Sequence, residues 1–183
     1  AILRNPEALD AVVAEARRFL PPGIAPKIEA DPESPHIDSE HREITVLFLN
    51  FWGVRYDEDP QAFVRLNGFY TAMQRIADRF GGVVNKMDMY THGDKLMVLF
   101  GTPIAHEDDP QWAVQCALDM VEENQRLDLD VKLKIGINTG GVFSGNVGAR
   151  GRQEFTVMGD AVNLSARLMS ASGENQIYLG PNT

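Results

Sequence analysis

Hydrophobic residues follow two different periods along the chain, and both are clear from about residue 43 onward. Residues 44–51, ITVLFLNF, form a continuous apolar and β-branched run between charged residues and a glycine, which is typical of a central strand. Residues 60–80 instead place their apolar side chains at helical spacing, and Gly81-Gly82 predicts the end of that helix. The first half of the chain therefore contains a buried strand followed by an amphipathic helix.

The remaining segments predict further elements in the same manner. They are strands at 83–87 and 95–101 around a turn, a helix from Asp109-Pro110, a strand, turn and strand across 131–148, a strand that ends at Gly159, a helix at 161–172 and a strand at 176–180. The order βαββαββ-α-β predicts an α+β fold, with a ferredoxin-like βαββαβ core sheet and helices on one face. The glycine-rich stretch 138–148 lacks the Lys-Ser/Thr of a phosphate-binding loop, so it predicts a tight hairpin.

Residues 1–41 differ from the rest of the chain. Asn5 and Pro6 are typical of a helix start, and apolar residues at helical spacing follow them. Residues 21–41 are dense in proline and charge, which indicates a linker. We therefore expect a helix and linker in residues 1–41 and one domain in residues 42–183. Because the chain begins without methionine and stops soon after a strand, we also expect a fragment of a multidomain polypeptide, cut short at its C-terminal end.

Composition narrows the classes of partner and compartment. The formal net charge is −9 and no stripe of lysine or arginine occurs, which argues against nucleic acid or an anionic membrane as the main partner. No apolar run approaches the roughly 18 residues that a membrane span needs. The single cysteine, Cys116, excludes an internal disulfide and indicates a reducing compartment, so we expect a cytoplasmic domain.

The most informative polar pattern lies in residues 155–167, FTVMGDAVNLSAR, where a strand leads into a helix. Asn163 and Arg167 are four residues apart, which puts an amide and a guanidinium on one helix face. Arginine suits phosphate oxygens, and asparagine can orient a hydroxyl or ring oxygen. From spacing alone, however, a solvated surface pair is the favoured interpretation.

Three other positions suggest metal chemistry. Asp94 follows a Gly-containing turn, and with a second carboxylate it could hold Mg²⁺ against a triphosphate, although such a residue is more often only part of a turn. Asn50 is the one polar side chain at the end of the central strand, where a metal-binding carboxylate would be expected. Residues 106–109, HEDD, resemble a ligand cluster, but their place before Pro110 favours helix capping.

From about residue 42 to its end, the chain resembles a class III adenylyl/guanylyl cyclase catalytic domain. The resemblance rests on five segments in the family's order: ITVLFLNFWG, GDKLMVLFG, HEDDPQWAVQCALDM, KIGINTGGVFSGNVG and EFTVMGDAVNLSARL. Within the family, KMDMYTHGDKLMVLFG is most similar to the soluble, bicarbonate-responsive branch and its bacterial relatives, which carry two cyclase domains in tandem.

The resemblance implies an activity and a division of labour between two domains. Such domains pair head to tail, as a homodimer or with a second cyclase domain, and convert ATP to cAMP and pyrophosphate with Mg²⁺ or Mn²⁺. By this resemblance, Asn163 orients the ribose, Arg167 contacts the α-phosphate and Thr156 reads the base. Asp94 matches the second metal ligand, and the backbone of Phe51 belongs to the same metal site.

Two positions depart from the family pattern. Asn50 stands in place of the first metal carboxylate, and an amide oxygen binds Mg²⁺ far more weakly than a carboxylate does. Lys86 is the candidate base-reading lysine, but it lies further from the Gly-Asp turn than usual. A catalytically silent partner domain is therefore the main alternative. A ferredoxin-like polymerase or diguanylate cyclase is disfavoured, since no GG[DE][DE][FY] turn is present.

Overall fold

A computed structural model describes residues 5–20, 24–30, 39–90, 92–127, 129–149 and 152–183. The chain divides into two compact units, Ala1–Asp38 and Ser39–Thr183. The elements are α1 (Pro6–Arg17), α2 (Ile24–Ala30), β1 (Glu40–Trp52), α3 (Ala62–Arg79), β2 (Val83–Met89), β3 (Asp94–Phe100), α4 (Asp109–Leu127), β4 (Lys132–Ala149), β5 (Arg152–Met158), α5 (Asp160–Ala171) and β6 (Gln176–Leu179). No described helix is long and apolar enough to cross a bilayer.

The first unit contains the helix that the sequence predicts and a second helix that it does not. The side chain of Asn5 accepts a hydrogen bond from the backbone N–H of Glu7 at 3.2 Å, and Pro6 occupies the first turn, as a helix start requires. Helix α2 lies inside the predicted linker 21–41. Its Pro26 is in the first turn, where a missing N–H breaks no intrahelical bond. The predicted division at residues 41 and 42 stays a prediction.

The second unit is built on a six-stranded sheet with the order β2-β3-β1-β4-β5, and β6 lies beside β4. Every pairing is antiparallel except that of β6 with β4. Strand β1 is central because it pairs with β3 on one side and with β4 along its whole length on the other. The predicted α+β class is confirmed.

Helices cover both faces of this sheet rather than the single face that the sequence predicts. Leu47, Leu49 and Phe51 pack with α3 and α4, whereas Val46 and Phe48 pack with α5. Alternate residues of a strand point to opposite faces. Because β1 is apolar at both sets of positions, each face needs a hydrophobic cover. Gly136 of β4 permits a close approach of α5, since a Cβ there would lie 2.1 Å from the backbone nitrogen of Met169.

The glycine-rich segment 138–148 is not a hairpin, which corrects the prediction. It belongs to one continuous strand, β4, in which Gly140 and Gly141 pair with Ile44 and Glu43 of β1. The reason is that β1 begins at Glu40 and supplies partners beyond the predicted start of the strand. Residues 150 and 151, which separate β4 from β5, lie outside the described residues.

Candidate active site

Helix α5 presents Asn163 and Arg167 on its exposed side. The opposite side of the helix is fixed to the sheet, because the hydroxyl of Ser165 lies 2.8 Å from the carbonyl oxygen of Val46 and 2.9 Å from that of Gly136. Ser165 is fully buried, whereas Asn163 and Arg167 are both exposed. The sheet contact therefore turns the amide and the guanidinium outward to the exposed surface of the domain.

Both side chains line a groove of about 440 Å³ that also includes Gly140, Gly141 and Asp160. A second ordinary role for Arg167 would be an ion pair with a nearby acid such as Glu154 or Glu174. Within the described part of the chain Arg167 forms no ion pair within 4 Å, and Glu154 and Glu174 pair with Lys86 and Lys132 instead. The ion pair with Glu154 or Glu174 thus gains no support, while the exposure of both side chains is compatible with a solvated pair as well as with a binding surface.

The two candidate base-reading residues, Lys86 and Thr156, lie close together although β2 and β5 are opposite edges of the strand order. Lys86 forms an ion pair of 3.1 Å with Glu154. The neighbouring Asn85 donates from its side-chain amide to the carbonyl oxygen of Phe155 at 2.9 Å. The hydroxyl of Thr156 donates to the Asn85 side-chain oxygen at 3.5 Å.

Asn85 is a residue that the sequence analysis missed. The register of β2 against β3 shifts between Val84 and Lys86, so Asn85 forms a bulge and has no direct partner on β3. The side-chain amide of Asn85 contacts β5, where it bonds to Phe155 and Thr156. A polar residue inside an apolar strand pattern was the available signal, but periodicity alone does not locate a bulge.

Asn50 is buried at the end of β1, with 4% of its surface exposed. Its amide nitrogen donates to the carbonyl oxygens of His92 and Asp94, both at 2.9 Å. Gly93 lies between them with a φ of +83°, and a Cβ there would lie 2.1 Å from the carbonyl oxygen of Phe51. The amide therefore fastens the tight turn that joins β2 to β3.

Asp94 is also engaged within the domain. Its carboxylate accepts a hydrogen bond of 2.5 Å from the hydroxyl of Tyr56, a second residue that the sequence analysis missed. Burial raises the pKa of the Tyr56 phenol from 10.0 to about 12, and the hydrogen bond and negative charge of Asp94 act in the same direction. The Tyr56 proton thus stays on the phenol and caps the carboxylate.

These residues do not fit a divalent metal ion. Mg²⁺ prefers carboxylate oxygens, yet Asn50 supplies a neutral amide whose N–H groups are committed to backbone, and Asp94 is bound by Tyr56. Phe51 pairs with Asp94 across the sheet and buries its ring against Phe69, with ring centroids 4.6 Å apart. Among the described residues no group of three acidic, histidine or cysteine side chains could hold a metal. The expected ligand set of Asp94, Asn50 and the Phe51 backbone gains no support here.

The acidic segment before α4 is engaged within the fold, and Asp109 places a negative charge in the first turn of the helix, as the sequence favours. The Asp109 carboxylate is buried and accepts a bond of 2.7 Å from the backbone N–H of His106, whose ring nitrogen lies 3.3 Å away. The bond ties residue 106 to the first residue of the helix.

The domain is similar in sequence and structure to known cyclases. It is 31% identical to adenylate cyclase type 10 of Homo sapiens over 72% of this chain and 8% of the human protein. An adenylate cyclase of Mycobacterium bovis is 33% identical over 88% of this chain and 37% of that protein. The chain thus spans well under half the length of either relative.

Solved structures give the same result. The adenylyl cyclase CyaB from P. aeruginosa superposes with a TM-score of 0.71 at 29% identity, over 79% of this chain and 80% of that one. The guanylyl cyclase Cya2 gives 0.67 at 31% identity, over 78% and 77%. The family model described as the adenylate and guanylate cyclase catalytic domain matches residues 37–183. With this match over most of its length, the chain belongs to the family of adenylate and guanylate cyclase catalytic domains.

Proposed function

We propose that this domain takes part in converting ATP to cAMP and pyrophosphate at a head-to-tail dimer interface, and that it supplies the transition-state side of the composite site. The observation that carries the proposal is the exposed pair Asn163 and Arg167. Both side chains line one groove, and in the described residues Arg167 is neutralised by no acid. By contrast, Asn50 and Asp94 are occupied within the domain.

In the proposed reaction Arg167 supplies positive charge and Asn163 positions the substrate. In cyclisation the 3′-hydroxyl of the ribose attacks the α-phosphorus and pyrophosphate leaves. Arg167 would place a permanent positive charge and a planar pair of donors on the α-phosphate oxygens as negative charge builds up there. Asn163, one helical turn earlier, would hold the ribose so that its hydroxyl is in line. The divalent ion that neutralises the triphosphate would come from a neighbouring domain.

Adenine is the base that we propose for the Lys86 and Thr156 cluster. A lysine ammonium can only donate, and adenine N1 is an acceptor, whereas guanine carries a hydrogen at N1. The Thr156 hydroxyl can accept from the adenine amino group. To contact adenine, Lys86 must first leave its ion pair with Glu154. Breaking this pair costs little free energy because both side chains are partly exposed.

A catalytically silent regulatory partner is the second candidate, and Asn50 favours it. A domain without its own metal carboxylate could serve only to complete or restrain an interface. The two candidates differ in what Arg167 does. Under the first it acts on bound nucleotide, and under the second it is dispensable.

The deciding experiment is a mixed assembly of this domain with a cyclase domain that carries both metal carboxylates. We expect Arg167→Ala to lower kcat by about a hundredfold to a thousandfold, the usual effect of removing one transition-state donor, with nucleotide affinity nearly unchanged. Arg126→Ala is the matched control, because Arg126 is an exposed arginine in surface ion pairs with Glu122 and Glu123. Wild-type turnover in Arg167→Ala would favour the silent partner. Measuring cAMP and cGMP side by side tests the base.

A further inference from the structure

Asn85 connects the two ends of the strand order at the place where Lys86 and Thr156 lie close together. It is on β2, yet its side chain makes two hydrogen bonds to β5. The amide nitrogen donates to the carbonyl oxygen of Phe155 at 2.9 Å, and the amide oxygen accepts from the hydroxyl of Thr156 at 3.5 Å. Asn85 and Thr156 are both half-buried, so a ligand can still reach them.

The bulge in β2 is what lets two consecutive residues reach the same strand. In a regular strand successive side chains point to opposite faces, so Asn85 and Lys86 could not both turn toward β5. The register of β2 against β3 is interrupted at Asn85, which removes that constraint. Lys86 therefore pairs with Glu154, while Asn85 bonds to the next two residues of β5.

The two hydrogen bonds of Asn85 have a defined direction. A carbonyl oxygen only accepts, so the NH₂ end of the amide must face Phe155 and the oxygen must face Thr156. The Thr156 hydroxyl has a single hydrogen, and in this arrangement that hydrogen points to Asn85. Only the lone pairs of the hydroxyl oxygen then remain for a bound base, so Asn85 makes Thr156 an acceptor.

An acceptor at this position distinguishes purines by the group at carbon 6. Adenine carries an amino group there, which donates, whereas guanine carries a carbonyl oxygen, which accepts. A 6-oxo purine would set its oxygen against the lone pairs of Thr156 unless the hydroxyl turned away from Asn85 and gave up their hydrogen bond. The loss of that bond is a cost that only the 6-oxo purine meets.

We infer that Asn85 determines base specificity by orienting the Thr156 hydroxyl as an acceptor, which favours adenine over a 6-oxo purine. The inference rests on the proposed function, in which Lys86 and Thr156 read the base. Asn85 is a positioning residue, because it acts through Thr156. The contact of 3.5 Å is long for a hydroxyl donor, so we expect an effect on selectivity of about threefold to tenfold.

The test compares ATP with inosine triphosphate in the mixed assembly with a metal-competent cyclase domain. Inosine has the 6-oxo edge of guanine without its 2-amino group, so the comparison isolates the edge that Thr156 faces. We expect Asn85→Ala to lower the ratio of kcat/KM for ATP to that for inosine triphosphate by about threefold to tenfold. The reason is that the freed hydroxyl can donate to the 6-oxo group.

Two control variants separate the acceptor from the connection between strands. Asn85→Asp loses the bond to Phe155 but keeps an acceptor for the Thr156 hydroxyl, so the ratio should stay at the wild-type value. Asn146→Ala is the matched asparagine control. Asn146 opposes Phe155 across β4 and β5, so its side chain is on the sheet face opposite to that of Thr156. This variant should also leave the ratio unchanged.

A double-mutant comparison identifies the route of the effect. If Asn85 acts through the hydroxyl, Asn85→Ala should leave the ratio unchanged in a Thr156→Val background. A residue that only held the strands together would slow both nucleotides equally in either background. An unchanged ratio in Asn85→Ala, or the same shift with and without the hydroxyl, overturns the inference. Far-ultraviolet circular dichroism verifies that each variant is folded.

Binding measurements separate this inference from the proposed catalysis. The 3′-deoxy forms of both nucleotides lack the attacking hydroxyl, so their dissociation constants report base selection whether or not cyclic product forms. A shifted ratio of these constants in Asn85→Ala, with no turnover in wild type, supports the inference and contradicts the catalytic proposal. Turnover with an unchanged ratio contradicts the inference alone, and the absence of any nucleotide binding contradicts both.

Discussion

Two asparagines of this domain show how the same side chain serves opposite purposes. Asn163 lies exposed on α5, and its amide faces a groove. Asn50 is buried at the end of β1, and its amide is consumed by two backbone carbonyls. The Asn163 amide can therefore still hydrogen-bond to a ligand, whereas the N–H groups of Asn50 are used to stabilise the fold. The domain therefore leaves one asparagine free to bind a ligand and uses the other to hold its own turn.

The largest expected effect concerns the isolated chain. Every composite site of a homodimer would carry Asn50 in place of a carboxylate, so we expect cAMP formation at least about a thousandfold slower than in the mixed assembly, which corresponds to about 4 kcal/mol of activation free energy. The measurement is turnover of the purified chain with ATP and Mg²⁺ or Mn²⁺. Turnover on the order of 1 s⁻¹ would show that the contrast between the two asparagines has no catalytic meaning.

Asn50→Asp tests the structural half of the comparison. The sequence alone suggests that this change restores residual activity if the other ligands are in place. In the structure it would set a carboxylate against the His92 and Asp94 carbonyls, so we expect a loss of about 1–3 kcal/mol in the free energy of unfolding. Urea denaturation at neutral pH measures it.

The pH dependence of that variant provides its control. A carboxyl group facing carbonyl oxygens is better protonated, so its pKa in the folded state should exceed that in the unfolded state. The variant should then regain stability relative to wild type as the pH falls toward 4. A variant as stable as wild type at pH 7 would argue that the turn does not depend on the amide.

Tyr56 supplies a smaller and independent measurement. Its pKa is raised from 10.0 to about 12, so the phenol stabilises the fold fully below pH 10 and loses that contribution as the pH rises toward 12. Because Tyr56 is 41% exposed, we expect only about 1 kcal/mol from it. The difference in phenolate absorbance between wild type and Tyr56→Phe should titrate near pH 12. A midpoint near 10 would mean that the Asp94 carboxylate is not capped.

The smallest effect is expected at the base-reading cluster. Glu154→Gln removes the acid that holds Lys86, and the pair is solvent-exposed enough to contribute only about 0.5 kcal/mol. We therefore expect about a twofold lower KM for ATP in the mixed assembly, with kcat unchanged. A higher KM would instead indicate that Glu154 itself contacts the nucleotide.

Local sequence signals predicted most of the elements and the outer half of the site. Spacing over at most 21 residues predicts the helix start at Asn5-Pro6, the helices across 60–80 and 161–172 and the polar pair on α5. The departure at Asn50 was also visible as a polar residue in an apolar run. Such features depend on neighbours along the chain, and periodicity records those directly.

Tertiary structure alone decided what the polar residues do. The amide of Asn50 meets carbonyls more than forty residues away, and Lys95 and Lys134 flank it only because three strands pair in one register. Likewise, β4 is one strand instead of a hairpin because β1 supplies partners along its length. Strand register is set by packing of the whole sheet, and a shift of one residue would turn every side chain to the other face. Sequence thus determined which groups are present, and the pairing of distant strands determined which of them meet.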